Sequence, residues 1–540
     1  MSLAQDAKPA LDALVEFDLA TSVQVKNPFD PAQIDLVVNY TAPDGKVMTI
    51  PAFWYQAYDP TGAAPCGDPG WKARLTPTRP GKWTAQAEIR KLKVKSASVS
   101  FQVAQADARG FVRVNAKNPR YLAFDNGATY FPIGLNIGWW KSDPLGDYQR
   151  WMDKLHANGG SLIRVWMASW SFGIEWQDTG LGDYTKRERQ AWLLDQVFNM
   201  ANQRDMTIDL VLLNHGAFSQ TTNPEWDANP YNVANGGMCQ TPDCFATNPQ
   251  AQDYFKRRLR YIAARWGYSP NLLAWEWWNE EDLTPIKEDD LAAWVKKMTV
   301  TLRSYDPYQH LINISFAGNN SKKVLSLPEI SFSQVHLYDF RDPTQTFSDI
   351  YHDMSLLAPN KPILFGEFGF SAAIEDAKSY DKTGAHLHNG EWMAAFTGFA
   401  SSTMYWWWDS YIDPLNLWSQ FSSLSRFLHG EDLATFTPGK ATLSNPLVAS
   451  ALTLQNNTLA LIWVKNNRYE AAVTDAMLGQ PVHGLELTLS GLKDGSYQVT
   501  WYDPIAAKWL DTAQATAQNG KLKGVVPDFL KDMAARVTAP

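Results

Sequence analysis

Three stretches of the chain differ in the rhythm of their apolar positions. Over roughly the first hundred residues, short β-branched and aromatic runs (DLVVNYTA, KVMTIPAFWYQAY, KWTAQAEI, SASVSFQV) are punctuated by turns such as Pro43-Asp44-Gly45, a pattern that predicts a β-sandwich. From about Phe111 the rhythm changes: extended apolar runs at 129–139, 162–167, 207–216, 272–280, 311–316, 332–340, 362–369 and 403–410 alternate with longer segments. Those segments, among them DYQRWMDKLHAN, TKRERQAWLLDQVFNMANQ and QAQDYFKRRLRYIAARW, repeat apolar residues at helical spacing. Eight strand–helix alternations predict a closed α/β barrel, the (β/α)8 TIM fold, rather than an open sheet. After about residue 437, TLALIWVKNN, GLELTLSGL, a Lys493-Asp494-Gly495 turn and SYQVTWYDP predict a second β-sandwich. The expected domains are therefore 1–108, 109–436 and 437–540, flanking sandwiches around a barrel.

Composition narrows the partners. A chain of 540 residues exceeds what one core supports, and 45% hydrophobic with 19% charged residues is ordinary for a globular protein. A net charge of −8 leaves no basic stripe for phosphates, so nucleic acid is not expected as a partner. No run approaches the roughly 20 apolar residues of a membrane span. Of the three cysteines, Cys239 and Cys244 share one Gly- and Pro-rich loop, which allows either a short disulfide or two free thiols. The segment AQDAKPA after Met1-Ser2-Leu3 reads like the start of a mature exported protein, so a periplasmic or extracellular location is the expectation. Twenty-four tryptophans also stand out, because flat aromatic faces pack on the C–H faces of sugars, although most Trp in any domain serve the core.

Barrel enzymes carry their reactive groups at the C-terminal ends of the strands. Here those ends supply Asn136, then Arg164 and Trp166, Asn214 and His215, Asn279 and Glu280, His336 and Tyr338, Glu367, and finally Trp406, Trp407 and Trp408. A carboxyl group leaving a buried strand has its pKa raised by burial, as a general acid requires. Cleaving an acetal needs such an acid together with a carboxylate that traps the oxocarbenium-like centre, and Glu280 with Glu367 form the candidate pair. Glu276 shares the strand parity of Glu280 and is expected four residues deeper, as a buried partner of Arg164. His215 and His336 lack the spacing of a metal pair, and the chemistry requires no metal and no cofactor.

These motifs resemble the clan A glycoside hydrolases, and most nearly family 5, the cellulases and β-mannanases. The resemblance rests on Asn279-Glu280 in WEWWNEED, Glu367 in ILFGEFG, Arg164 in IRVWM, His215 in LLNHG, and His336 and Tyr338 in VHLYD. It implies that Glu280 is the acid/base, Glu367 the nucleophile, and that Asn279 meets the substrate 2-hydroxyl. It further implies that Tyr338 donates to the nucleophile and that one of Trp406, Trp407 and Trp408 forms the floor, with Trp407 and Trp408 preferred. Arg164 is expected to keep Glu367 ionised. The implied activity is retaining hydrolysis of β-linked poly- or oligosaccharide by an endo-β-1,4-mannanase or β-glucanase, with carboxyl groups about 5 to 5.5 Å apart. An exo-acting β-glycosidase, its cleft closed by a loop such as 218–247, and a non-catalytic carbohydrate-binding barrel are the alternatives. The N-terminal sandwich is similar to one of uncharacterised role that precedes such barrels.

Overall fold

The computed structural model describes residues 1–5, 9–338, 343–373 and 378–539. Its centre is a (β/α)8 barrel. Parallel strands Gly134–Asn136, Leu162–Trp166, Thr207–Val211, Leu272–Glu276 and Leu311–Asn313 pair in that order, and Ser333–Tyr338 pairs with Ile363–Gly369. The two groups are joined by the Ser331 amide donating to the Ile312 carbonyl at 2.7 Å. Every residue of the second, third and fourth strands is buried, which explains why they read as near-continuous apolar runs instead of alternating ones.

The eighth strand departs from the expectation. Of 403–410 only Tyr405 pairs, with Leu135 on one side and Phe368 on the other. The chain then turns at Trp407 (φ 48°) into a single π-helical turn, Trp408–Ile412. A side chain reinforces this seam: the Asn136 amide donates to the carbonyls of Gly366 (3.0 Å) and Met404 (2.8 Å), tying the first, seventh and eighth positions together. The first run divides as well. Thr129–Tyr130 joins an antiparallel sheet with Val112–Val114 and Leu122–Phe124, and the barrel strand begins only at Gly134. The sixth strand was expected to reach 340; it ends at Tyr338, and 339–342 lie outside the described residues.

The helices start where local chemistry dictates. Pro249–Trp266 has Pro at its first position, and the Asn248 side chain accepts from the amides of Gln250 and Ala251. Glu288–Arg303 opens on Glu288, Asp289 and Asp290, carboxylates matched to the positive end of the helix dipole.

N-terminal to the barrel, a four-stranded and a five-stranded antiparallel sheet close over Phe17, Val38, Tyr40, Trp71, Trp83 and Phe101. C-terminal to it, nine antiparallel strands form one sheet wrapped around a core that includes Leu487, Leu489, Val499, Trp501 and Leu522. Its two outermost strands, Thr437–Lys440 and Thr442–Leu443, are consecutive in the chain, which gives the domain its barrel-like closure. No helix among the described residues is long and apolar enough to cross a membrane.

Candidate active site

Barrel register stacks polar groups along the axis. Arg164 lies opposite Asp209 and Glu276 opposite Asn313, and the Asn313 amide donates to Asp209, so four neighbouring strands point hydrogen-bonding side chains inward into one network. Arg164, 1% exposed, forks onto Glu276 with Nε and Nη2 both at 2.7 Å. Its remaining donors reach Glu367 Oε1 (2.9 Å) and Asn279 Oδ1 (2.7 Å). Burial works against the Arg164 charge, but Glu276 and Glu367 outweigh it and the guanidinium stays ionised. One rigid fork thus fixes the height of a strand-seven carboxylate and a strand-four amide.

Glu280 follows directly, in the left-handed region at φ 51°. A non-glycine residue held there is strained, and such strain gathers at functional positions. Glu280 Oε1 lies 3.0 Å from His336 Nδ1, and Oε2 lies 3.5 Å from His215 Nδ1. Glu367 accepts the Tyr338 hydroxyl at 2.5 Å in addition to Arg164. One oxygen of Glu280, one of Glu367 and a nitrogen of His336 all lie within 4.8 Å of one another.

Burial raises the Glu280 pKa above the ordinary carboxylate value by more than His215 and Arg164 lower it. Glu367 is raised as well: burial and the nearby Glu280 outweigh His336, Arg164 and the Tyr338 hydrogen bond. Arg164 acts in the expected direction: it lowers the Glu367 pKa, and with Tyr338 limits a rise that burial imposes. Burial also depresses His215 and His336, which leaves both imidazoles neutral near pH 7 and able to orient carboxyl groups without neutralising them.

Glu280 and Glu367 open onto a cleft with a cavity volume of about 850 Å³. Trp166, Asn214, His215, Tyr338 and Trp407 line it too. Arg164, Asn279 and His336 lie in the layer beneath, bonded to those on the surface. Trp408 does not reach the cleft: it is 2% exposed and packs edge-on against Trp139 and Trp406. Trp406 lines the cleft in its place, with the chain turning at Trp407 through a left-handed residue. Trp139 and Trp170 complete an aromatic wall, their rings 5.3 Å apart. Sequence reasoning missed Asn223 and Glu225, contributed by the loop after the third strand. Glu225 accepts from Ser169 Oγ at 2.9 Å and Asn214 Nδ2 at 3.3 Å, and no spacing in the chain signals either contact. That same loop contains the Cys239–Cys244 disulfide.

The Glu280–His336–Glu367 cluster has the donor types of a metal site. A guanidinium already occupies Glu367 Oε1 and a phenol Oε2, so a cation there meets a fixed positive charge at bonding distance. The arrangement suits proton transfer and carboxylate attack better than metal ligation.

A family model described as cellulase (glycosyl hydrolase family 5) matches residues 125–411, and one described only as a domain of unknown function matches 13–90. Mannan endo-1,4-beta-mannosidase F of Aspergillus fumigatus is 24% identical over 317 residues, 51% of this chain and 68% of that protein. Probable mannan endo-1,4-beta-mannosidase F of Aspergillus oryzae is 22% identical over 282 residues, 45% of this chain and 58% of that one. In fold, a putative glycoside hydrolase from Bacteroides vulgatus superposes with a TM-score of 0.64 at 17% identity, covering 97% of this chain and 98% of the other.

Proposed function

Because the chain belongs to glycosyl hydrolase family 5, we propose that it is a retaining endo-β-1,4-mannanase in which Glu367 is the nucleophile and Glu280 the acid/base. The observation that carries this reading is the approach of Glu280 and Glu367 oxygens to within 4.8 Å across an open cleft. Inverting enzymes hold a water between carboxyl groups roughly 6.5 to 9.5 Å apart, and this pair leaves no such gap. In the first step a Glu367 oxygen attacks the anomeric carbon while Glu280 gives its proton to the departing glycosidic oxygen. The resulting glycosyl ester is hydrolysed by a water that Glu280, now a carboxylate, deprotonates; the proton returns to Glu280 and Glu367 leaves. Two inversions give net retention, and no cofactor takes part.

Mannan as the substrate is supported by the Aspergillus relatives, which are mannan endo-1,4-beta-mannosidases. Asn279, aligned by Arg164 just beneath the cleft, is assigned to the 2-hydroxyl, and the Trp139, Trp170 and Trp406 wall offers faces for sugar rings. Export is supported by the Cys239–Cys244 disulfide, a bond that persists in oxidising compartments.

Incubation with β-mannan, β-glucan and aryl β-glycosides tests the activity, and product lengths separate endo from exo action. Azide added to Glu367→Ala should yield a glycosyl azide of inverted configuration. Undiminished hydrolysis by that variant would remove Glu367 from its assigned step.

A further inference from the structure

The N-terminal sandwich touches the barrel beside one cleft-lining loop. That loop, residues 167–187 after the second strand, carries Trp170, which is 46% exposed and forms the outer end of the aromatic wall. From the sandwich side, the Asn27 amide donates to the Gly182 carbonyl at 2.8 Å, and Phe29, 5% exposed, packs its ring 5.0 Å from that of Tyr184. A second anchor lies just beyond, where the Gln56 backbone amide donates to Glu188 at 3.2 Å. Between the two anchors sits Arg187, whose guanidinium donates to the carbonyls of Ser169 (2.7 Å) and Gly173 (2.9 Å). The peptide immediately preceding Trp170 is therefore held by an arginine that the sandwich flanks on both sides.

We infer that the N-terminal domain is a brace for the active-site rim: through Asn27 and Phe29 it fixes the 167–187 loop, and so places Trp170 where a distal sugar of a long chain stacks. This rests on the hydrolase reading of the cleft. Asn27 is a positioning residue here, since it acts through Gly182 and Arg187 and never meets substrate. Its first half is anchored in the barrel by the fully buried Phe172 and Ile174 and by Ser169 donating to Glu225, whereas its return limb around Gly182 and Tyr184 meets the sandwich. A brace of this kind lowers the ordering cost that a flexible rim would add to each binding event.

Asn27→Asp isolates the contact. The Asn27 oxygen accepts the Phe29 amide at 2.9 Å, and aspartate keeps that acceptor while replacing the donor facing Gly182 with an oxygen. The expected result is a KM for β-mannan raised about three- to tenfold, the span of one lost hydrogen bond, with kcat within about twofold. Activity on an aryl β-mannoside, too short to reach the rim, should be unchanged. In a Trp170→Ala background the same substitution should add nothing, because the group it positions is gone. Melting curves establish that each variant is folded. A wild-type KM for Asn27→Asp, an undiminished effect in the Trp170→Ala background, or an equal loss on the aryl glycoside would overturn the brace. Calorimetric binding of a manno-oligosaccharide separates this from the hydrolase reading. Weaker binding by Asn27→Asp in a protein without turnover would sink the hydrolase and keep the brace, whereas equal binding by wild type and variant would sink the brace alone.

Discussion

Two buried arginine–carboxylate networks in this molecule use the same parts to different ends. At the contact between N-terminal sandwich and barrel, Arg265 and Arg74 converge on Asp195 (2.7 and 2.8 Å), and Arg265 also reaches Glu188 at 2.9 Å. At the barrel mouth, Arg164 joins Glu276 and Glu367. Burial pushes Asp195 upward, but its two guanidiniums prevail and the carboxyl sits below its ordinary value. Glu367, with one guanidinium and a second acid nearby, is raised. Cation count separates the two: Asp195, matched by two arginines, is held below its ordinary value, while Glu367, with one arginine and Glu280 nearby, is raised.

Substitutions should break the two networks in opposite ways. Glu367→Ala should lower kcat by on the order of 10⁴-fold or more with an unchanged melting temperature, read from hydrolysis rates and calorimetry. Glu280→Ala should cost about 10² to 10⁴, least on aryl glycosides with good leaving groups, which need no proton. It should also abolish the alkaline limb of the pH profile, since activity falls as pH rises through the raised Glu280 pKa and the acid form is lost. Asp195→Asn should leave kcat intact but destabilise the fold by about 1.5 to 3 kcal/mol, because two buried guanidiniums lose a shared anion while Arg265 keeps Glu188 and Arg74 keeps Glu16. Asp195 is depressed in the folded state, so its contribution is full above the unfolded carboxylate pKa and disappears as pH falls through the folded one; stability of the wild type, but not of Asp195→Asn, should fall there. Tyr338→Phe should have the smallest effect, about tenfold in kcat, with the acidic limb displaced to higher pH as the nucleophile loses a donor to its anionic form.

How far these networks were legible in the chain follows from how they are built. Glu276 ends the fourth strand with Glu280 four residues further on, and His336 and Tyr338 lie two apart on the sixth, so reading these runs with strand parity pointed them to the inner side. Arg164 could be matched to them because barrel topology brings the second strand beside the fourth by way of the third. Arg74, Asp195 and Arg265 gave no such signal: they come from a sandwich strand and the outer faces of two helices, and only domain docking joins them. The Trp408 expectation failed for a local reason, the backbone reversal at Trp407, which no preference of tryptophan announces. Glu225 was hidden because a loop has no period from which to read direction.

The barrel seam carries one last consequence. Where the second to fourth strands have several ladder bonds, the eighth position is held to the first by one paired residue, the Asn136 amide, and Ser402 bonded to Pro132 and Gly134. Like the junction between the fifth and sixth strands, this is a sparsely laddered seam in the hoop, and amides flanking Tyr405 should exchange with deuterium before those of the second to fourth strands. Trp406 and Trp407 ride on that same segment, so parting of the seam dismantles the sugar platform while the rest of the hoop stands. Warming should therefore silence catalysis several degrees before ellipticity is lost.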